Sequence, residues 1–271
     1  MAVQTSRPRR QWGPRLAALI ALALCLAVEL PVYAQALTFA QAIDMAGRQR
    51  MLTQRVTKAY VQIGLNADVG ESLYELQDAL TTFEEQLYVL QAFAPTTELT
   101  EALADIAAKW EPFKQIAEAE PTKAGARRLH RMDEQLLPAC DDVVHLIMDI
   151  SDVEVSHLVN MAGRQRMLSQ RLAKFYMLEA AALGSPSTQL DMERTRNAFV
   201  GALDALEAAV ENTPGINELL QQAREQRTWL DTSTQPGEGS YYPIIVMRTS
   251  EKILHLMDDL TRLYTELAAG G

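Results

Sequence analysis

Cysteine, long apolar runs and strand-forming patterns are all scarce in this chain of 271 residues. Its two cysteines are Cys25 and Cys140, and only Cys140 follows the N-terminal segment described below, so no internal disulfide is expected. After residue 36 no stretch approaches the roughly 18 apolar residues that indicate a membrane-spanning helix. Runs of β-branched residues are short and no hairpin turn separates alternating segments, which argues against a β-sheet fold.

Motifs of enzymes and metal sites are also missing. The sequence contains no Gly-rich phosphate loop, nucleophile elbow, metal-binding helix motif or haem attachment site. Its four histidines are scattered and lack the spacing of metal ligands. We therefore expect a protein without catalytic residues, cofactor or bound metal, and not an enzyme.

Positive charge is in deficit across most of the chain. Lys and Arg number 25 against 35 Asp and Glu, which gives a formal net charge of −10. An acidic protein is repelled by polyanions, so non-specific binding to nucleic acid or to an acidic membrane is not expected.

The first 36 residues have the pattern of a secretory signal peptide. Four arginines precede an apolar run from Leu16 to Val28, and small residues at Ala34 and Ala36 offer cleavage sites. The apolar run is short for a membrane span. We expect residues 1–36 to be removed and the remaining protein to be soluble and periplasmic or secreted.

An internal repeat is the most informative feature that is present. The segment IDMAGRQRMLTQRVTK (Ile43–Lys58) returns 116 residues later as VNMAGRQRMLSQRLAK (Val159–Lys174). We call these segments the first and second box. From Arg48 to Lys58 the first box carries three Arg and one Lys with no acid, although the chain as a whole is acidic. A repeat of this length indicates two related structural units.

The pattern of apolar residues is helical almost throughout, with apolar residues three and four positions apart. Thr38 to Gln41 forms a capping-box pattern ahead of the first box. Four helices are expected in each half of the chain, the minimum that closes a bundle around its own core. We therefore predict an all-α fold of two tandem four-helix-bundle units, 37–150 and 151–271.

The connection between the two units leaves two interpretations. No Gly or Pro occurs between Ala139 and Ala162, which favours one continuous helix, end-to-end stacking of the units and pairing of each box with the same box of a second chain in a homodimer. Alternatively, the capping pattern from Ser151 to Glu154 starts a new helix, the chain reverses, and the two boxes lie side by side in one monomer. We favour the first.

Helical geometry separates the residues of a box by face. At about 100° per residue, Gly47 and Gln54 lie almost on one line, with Arg50 and Met51 beside it, while Arg48 lies on another face. A glycine inside a helix costs up to about 1 kcal/mol relative to alanine, so its presence in both boxes suggests close approach of a neighbouring helix backbone. The predicted ligand-binding residues are those of this face in both boxes: Gly47, Arg50, Met51, Gln54, Gly163, Arg166, Met167 and Gln170.

A guanidinium in such a narrow space needs an anion beside it, and its planar fork of donors matches an oxyanion. Two opposed arginines would repel when empty and be bridged by a bound anion, which is a physical basis for a switch. The other basic residues of the first box, Arg48, Arg55 and Lys58, are expected to be solvated or paired with acids of the second helix such as Glu84 and Glu85.

Both boxes resemble a known family motif. The pattern AGRQRM, at Ala46–Met51 and Ala162–Met167, resembles the P-box of nitrate/nitrite sensor histidine kinases. With the following Leu-Ser/Thr-Gln-Arg it resembles the N-terminal sensor domain of type IV pili methyl-accepting chemotaxis transducers. The resemblance implies a periplasmic four-helix bundle in which paired box helices bind an anion through the Arg before Met, here Arg50 and Arg166.

Taken with the resemblance, the sequence suggests an exported sensor-like protein. It would bind a small oxyanion, nitrate or nitrite as the first choice, and relay its occupancy to a membrane signalling protein. Unlike the proteins it resembles, the chain shows no flanking membrane helices and no signalling module. The alternative is a helical interaction module without a ligand, which docks on a membrane transducer or a pilus component and uses its arginines in packing.

Overall fold

Eight α-helices account for most of the residues that the computed structural model describes, which are 37–151, 156–234 and 241–270. The helices of the first repeat are α1 (Phe39–Gly64), α2 (Val69–Phe93), α3 (Thr97–Ala117) and α4 (Lys123–Asp149). Those of the second are α5 (Ser156–Ala180), α6 (Pro186–Glu207), α7 (Pro214–Thr234) and α8 (Pro243–Gly270). No strand occurs in these ranges, and the predicted all-α fold class is confirmed.

Polar caps fix where several helices begin. The Thr38 side chain accepts a hydrogen bond from the Gln41 backbone N–H, and the Gln41 side chain accepts one from the Thr38 N–H. This reciprocal pair is the predicted capping box, and it satisfies backbone donors that a helix leaves unpaired at its start. Thr96, Thr122 and Ser185 cap α3, α4 and α6 in the simpler one-sided way.

The two box helices, α1 and α5, lie side by side at the centre of the described fold. Ion pairs from Arg48 to Asp258 and from Arg55 to Glu251 show that α1 runs antiparallel to α8. Helix α5 also runs antiparallel to α8, because Arg166 contacts Asp258 while the later Gln170 contacts the earlier Ser250. The two box helices are therefore parallel to each other.

The chain reverses between the repeats, so the favoured prediction of a continuous helix and end-to-end stacking is wrong. Helix α4 ends at Asp149, where both the backbone N–H and the hydroxyl of Ser151 bond to the Met148 carbonyl. Helix α5 begins at Ser156. The alternative with the two boxes side by side in one chain is correct, and it packs the two box helices against each other. Residues 152–155, which hold most of the capping pattern, lie outside the described ranges.

Each repeat forms a four-helix bundle around its own box helix. Helices α2 and α4 pack against α1, and α3 packs against α4; helices α6 and α8 pack against α5, and α7 packs against α8. Apolar side chains from both repeats join in one continuous core, and residues 37–271 form one compact unit. The proposed domain limits, 37–150 and 151–271, remain a prediction.

Membrane-spanning segments are absent from the described helices. None of them is both long enough and apolar enough to cross a bilayer. The predicted signal peptide, residues 1–36, lies outside the described residues.

Candidate functional site

The candidate site lies between the two box helices, where polar side chains are buried. In α1 every residue from Gln49 to Gln62 is buried, although this stretch includes arginine, lysine, glutamine and threonine. A buried polar or charged group is unfavourable unless it is hydrogen-bonded or paired. The partners of these side chains therefore determine what the site can do.

Arg50 is fully buried and has partners from both repeats. Its Nη1 donates to Asp141 Oδ1 on α4 at 2.5 Å, and its Nη2 donates to Asn160 Oδ1 on α5 at 2.8 Å. Its Nε is buried without a hydrogen-bond partner among the described residues. The guanidinium is thus held across the seam between the box helices with its Nε–H unused.

Arg166 repeats this arrangement from the other side. Its Nη1 donates to Asp258 Oδ1 on α8 at 2.8 Å, and its Nη2 donates to the Asp44 carboxylate on α1. Its Nε also lacks a partner in the described part of the chain. Arg50 and Arg166 therefore meet at one seam within the chain, as in the alternative interpretation and not in the favoured one.

Gly47 and Gly163, which occupy equivalent positions in the two boxes, make room for these guanidiniums. A Cβ added at Gly47 would lie 3.2 Å from Arg50 Nη2 and 3.8 Å from Arg166 Nη2. At Gly163 the corresponding distances are 3.1 Å to Arg166 Nη2 and 3.8 Å to Arg50 Nη2. The expected contact with a neighbouring backbone is wrong in detail, because the atoms packed on each glycine belong to arginine side chains.

The remaining predicted site residues do not contact the guanidiniums. Met51 and Met167 are buried in the apolar core. Gln54 donates to Thr53 Oγ1, Gln170 donates to the Ser250 carbonyl, and the side-chain oxygen of each glutamine is buried without a partner among the described residues. Each glutamine thus holds a buried, unused acceptor about one turn beyond the arginine of its box.

The electrostatic surroundings of the two arginines differ. Burial lowers the pKa of Arg50, Asp141 opposes this, and the positive charges of Arg166 and Arg164 lower the pKa further. Burial also acts to lower the pKa of Arg166, but the carboxylates of Asp44 and Asp258 outweigh it and raise that pKa. Both groups stay charged, as guanidinium does in proteins, and Arg166 is the better compensated of the two.

The other basic residues of the first box are paired, but with different acids from those expected. Lys58 is fully buried between Glu75 on α2 and Glu251 on α8, with Nζ–O distances of 3.1 and 2.6 Å. Arg55 bridges Asp78 and Glu251. Asp78 and Glu75 lie six and nine residues before the predicted Glu84 on the same helix, Glu251 lies on α8, and Glu84 instead binds Lys114.

The second box has its own buried network. Lys174 contacts Asp133 at 2.9 Å and Glu134 at 3.0 Å, and Arg171 contacts Glu134 at 2.7 Å. His130, Asp133 and Glu134 are close enough together to hold a metal ion. The Lys174 ammonium already supplies a positive charge to both carboxylates, so the cluster is explained as an ion-pair network joining α4 to α5.

Sequence reasoning missed the acids that complete the site. Asp141 and Asp258 could not be found, because each is more than 90 positions from the arginine it binds. Asp44 and Asn160 were visible in the repeat itself, where they occupy equivalent positions three residues before the glycine and differ by one negative charge. That difference was the available signal.

The comparison with known families agrees with this architecture. The model of the family described as type IV pili methyl-accepting chemotaxis transducer N-term matches residues 32–132 and 152–230, which is more than half of the chain. The chain belongs to this family. Each matched segment contains one of the two boxes, so the predicted recognition is confirmed for the pili transducer domain, whereas the relation to nitrate/nitrite sensors is not shown. No curated protein and no solved structure matches the chain.

Proposed function

We propose that this protein is a periplasmic sensor module that binds a small oxyanion between its two box helices and relays occupancy to a membrane signalling partner. Membership of a transducer N-terminal family supports a role in sensing rather than catalysis. Nitrate or nitrite is the first choice of ligand, on the resemblance of the AGRQRM boxes to the P-box.

The observation that carries the proposal is the meeting of two buried guanidiniums. Nη2 of Arg50 and Nη2 of Arg166 both lie within 4 Å of the Cβ positions of Gly47 and Gly163, and each Nε is buried without a partner in the described structure. Two guanidiniums that both approach the same two Cβ positions repel each other in a low-dielectric interior. An oxyanion placed between them would relieve the repulsion and accept from the unused donors.

The proposed switch follows from where the arginine contacts go. Arg50 joins α1 to α4 and α5, and Arg166 joins α5 to α8 and α1. An anion that binds the Arg50 guanidinium competes with Asp141, so binding loosens the tie to α4. A ligand shifts such an equilibrium by its difference in affinity for the two arrangements.

A thermal-shift titration tests anion binding. Nitrate and nitrite are added to the protein at constant ionic strength, with chloride as the reference salt, since a ligand that binds only the folded state raises its Tm. We expect a saturable rise in Tm that Arg50→Gln removes. Arg194→Gln, on the exposed face of α6, is the matched control and keeps the rise. A wild-type protein whose Tm is the same in nitrate, nitrite and chloride would refute the proposal.

One observation favours the second candidate, an interaction module without a ligand. Both arginines already have carboxylate partners in this structure, so their charges are satisfied without an anion. In that case Arg50→Gln lowers the Tm by the same amount in every salt, and the protein's binding to a transducer fragment does not depend on nitrate.

A further inference from the structure

The two halves of the site differ by one charge, and this difference lies at positions 44 and 160. Position 44 is aspartate in the first box, and the equivalent position 160 is asparagine in the second. Both side chains have the same geometry, because each accepts a hydrogen bond from the Nη2 of the arginine on the opposite box helix. Only Asp44 adds a negative charge.

The charged groups around Arg166 balance one another. Near Arg166 two cations, Arg166 and Arg48, face two carboxylates, because Arg48 lies 3.0 Å from Asp258 and Asp44 binds Arg166. This half is neutral. The result does not depend on any distant group, since these are direct ion pairs.

Near Arg50 the direct contacts among the described residues supply one carboxylate, whereas Arg166 contacts two. That carboxylate is Asp141, and the positive charge of Arg164, whose side chain is exposed, also acts on Arg50. Asn160 contributes no charge. His145 lies 3.6 Å from the second oxygen of Asp141 and adds positive charge when protonated.

We infer that the chain holds one monovalent oxyanion, bound primarily by Arg50, while Asp44 acts as a permanent internal counter-ion for Arg166. This inference rests on the proposed function and specifies its stoichiometry, ligand charge and deciding residues. The pseudo-symmetric site has one open half and one closed half. A divalent anion such as sulfate would leave the seam with excess negative charge and binds more weakly.

The residues at 44 and 160 can be exchanged to test this. Nitrate binding is measured by calorimetry at fixed ionic strength, with sulfate as the divalent comparison. We expect one nitrate per chain in the wild type. Nitrate binding should weaken about tenfold or more in Asn160→Asp and strengthen to a similar extent in Asp44→Asn. The reason is that a carboxylate at either position holds the opposite arginine in a charge-assisted contact, which is roughly twice as strong as a neutral one.

The double variant Asp44→Asn with Asn160→Asp keeps the composition and net charge and exchanges the partners of the two arginines. In this variant we expect nitrate binding to persist but to depend on Arg166. Arg166→Gln then abolishes it and Arg50→Gln does not, the reverse of the wild-type order.

The outcomes separate this inference from the proposed function. If the wild type binds nitrate and neither single variant changes the affinity, the asymmetry is refuted and the proposed anion site stands. If sulfate binds more tightly than nitrate, the charge assignment is refuted. If neither the wild type nor Asp44→Asn binds any anion, the proposed function fails and this inference with it.

Discussion

At the scale of single residues, the buried lysines depend strongly on their ion-pair partners. Lys174 and Asp133 are both fully buried, and their ion pair joins the second box helix to α4 of the first repeat. The pair does not need to be stabilising in itself, because both charges lose their hydration. Removing one partner is costly, since the other charge then remains buried alone.

Lys174→Met should therefore lower the free energy of unfolding by about 3–5 kcal/mol. Urea denaturation followed by circular dichroism measures the change. Lys252→Met, on the exposed surface of α8, is the control and should change stability little. The double variant Lys174→Met with Asp133→Leu should recover part of the loss; a double variant as unstable as Lys174→Met alone would contradict the ion-pair explanation.

Glu251 makes stability depend on acid pH. Burial acts to raise its pKa, but Lys58 and Arg55 outweigh this and lower it from 4.5 to about 2. A carboxyl whose pKa is depressed in the folded state stabilises that state above its unfolded pKa, and loses this contribution as pH falls towards the folded value. The contribution of Glu251 is therefore full above about pH 4.5 and disappears towards pH 2.

The comparison of the wild type with Glu251→Gln over a range of pH tests this effect. Burial raises the pKa of the neighbouring Glu75, which titrates with the opposite sign, so the wild-type curve alone mixes the two. We expect the wild type to exceed Glu251→Gln in unfolding free energy at pH 6 and the gap to close between about pH 4.5 and pH 2. A gap that stays constant over this range would show that the ion pairs of Glu251 do not cause it.

At the scale of helices, a tyrosine near the end of each box anchors the loop before the fourth helix of its repeat. Tyr60 Oη accepts from the Thr122 N–H at 3.0 Å and donates to the Glu120 carbonyl. Tyr176 Oη accepts from the Tyr242 N–H at 2.7 Å. Gly125 is required beside the first of these, because a Cβ there would lie 2.1 Å from Tyr60 Oη.

Tyr60→Phe and Tyr176→Phe should each lower the free energy of unfolding by about 1 kcal/mol, since each leaves a backbone N–H without its partner. Chemical denaturation gives the values, and hydrogen exchange at Thr122 and Tyr242 should speed up in the matching variant. Tyr88→Phe, on the surface of α2, serves as the control and should change neither quantity. Unaltered exchange at both amides would mean that the tyrosines do not hold these loops.

Helix positions were largely predictable from sequence, whereas the path of the chain between repeats was not. The capping box at Thr38 has a strong local signal and α1 begins beside it, and each half of the chain forms the four helices expected. The reversal after Asp149 has no Gly or Pro to mark it. It follows from the burial of two box helices against each other, which is a tertiary effect that a local pattern does not contain.

The candidate site divides in the same way. The face of the helix that bears Gly47 and Arg50 was predictable from the spacing of residues, because helical geometry fixes it. The partners of the basic residues were not, since Arg55 contacts Glu251 at a separation of 196 positions. Such pairs depend on the arrangement of whole helices.

At the scale of the molecule, the side-by-side boxes make a pseudo-dimer within one chain. Arg50 and Arg166 occupy equivalent positions in the two repeats, and each contacts the opposite box helix. An arrangement that would otherwise need two subunits is thereby covalently linked. The two halves can then differ, as Asp44 and Asn160 do, which two identical subunits cannot.

The last prediction follows from this linkage. When a site forms between separate chains, stability rises with protein concentration, because association is favoured by mass action. When it forms within one chain, concentration has no effect. We therefore expect the Tm, and its rise with nitrate, to stay constant over a roughly hundredfold range of protein concentration.

A mixture of Arg50→Gln and Arg166→Gln chains provides a second measurement. Two chains that share a site restore a partly intact one, whereas an intramolecular site gives only the sum of the separate variants. A Tm that increases with concentration, together with recovery of nitrate binding in the mixture, would place the site between chains and not within one.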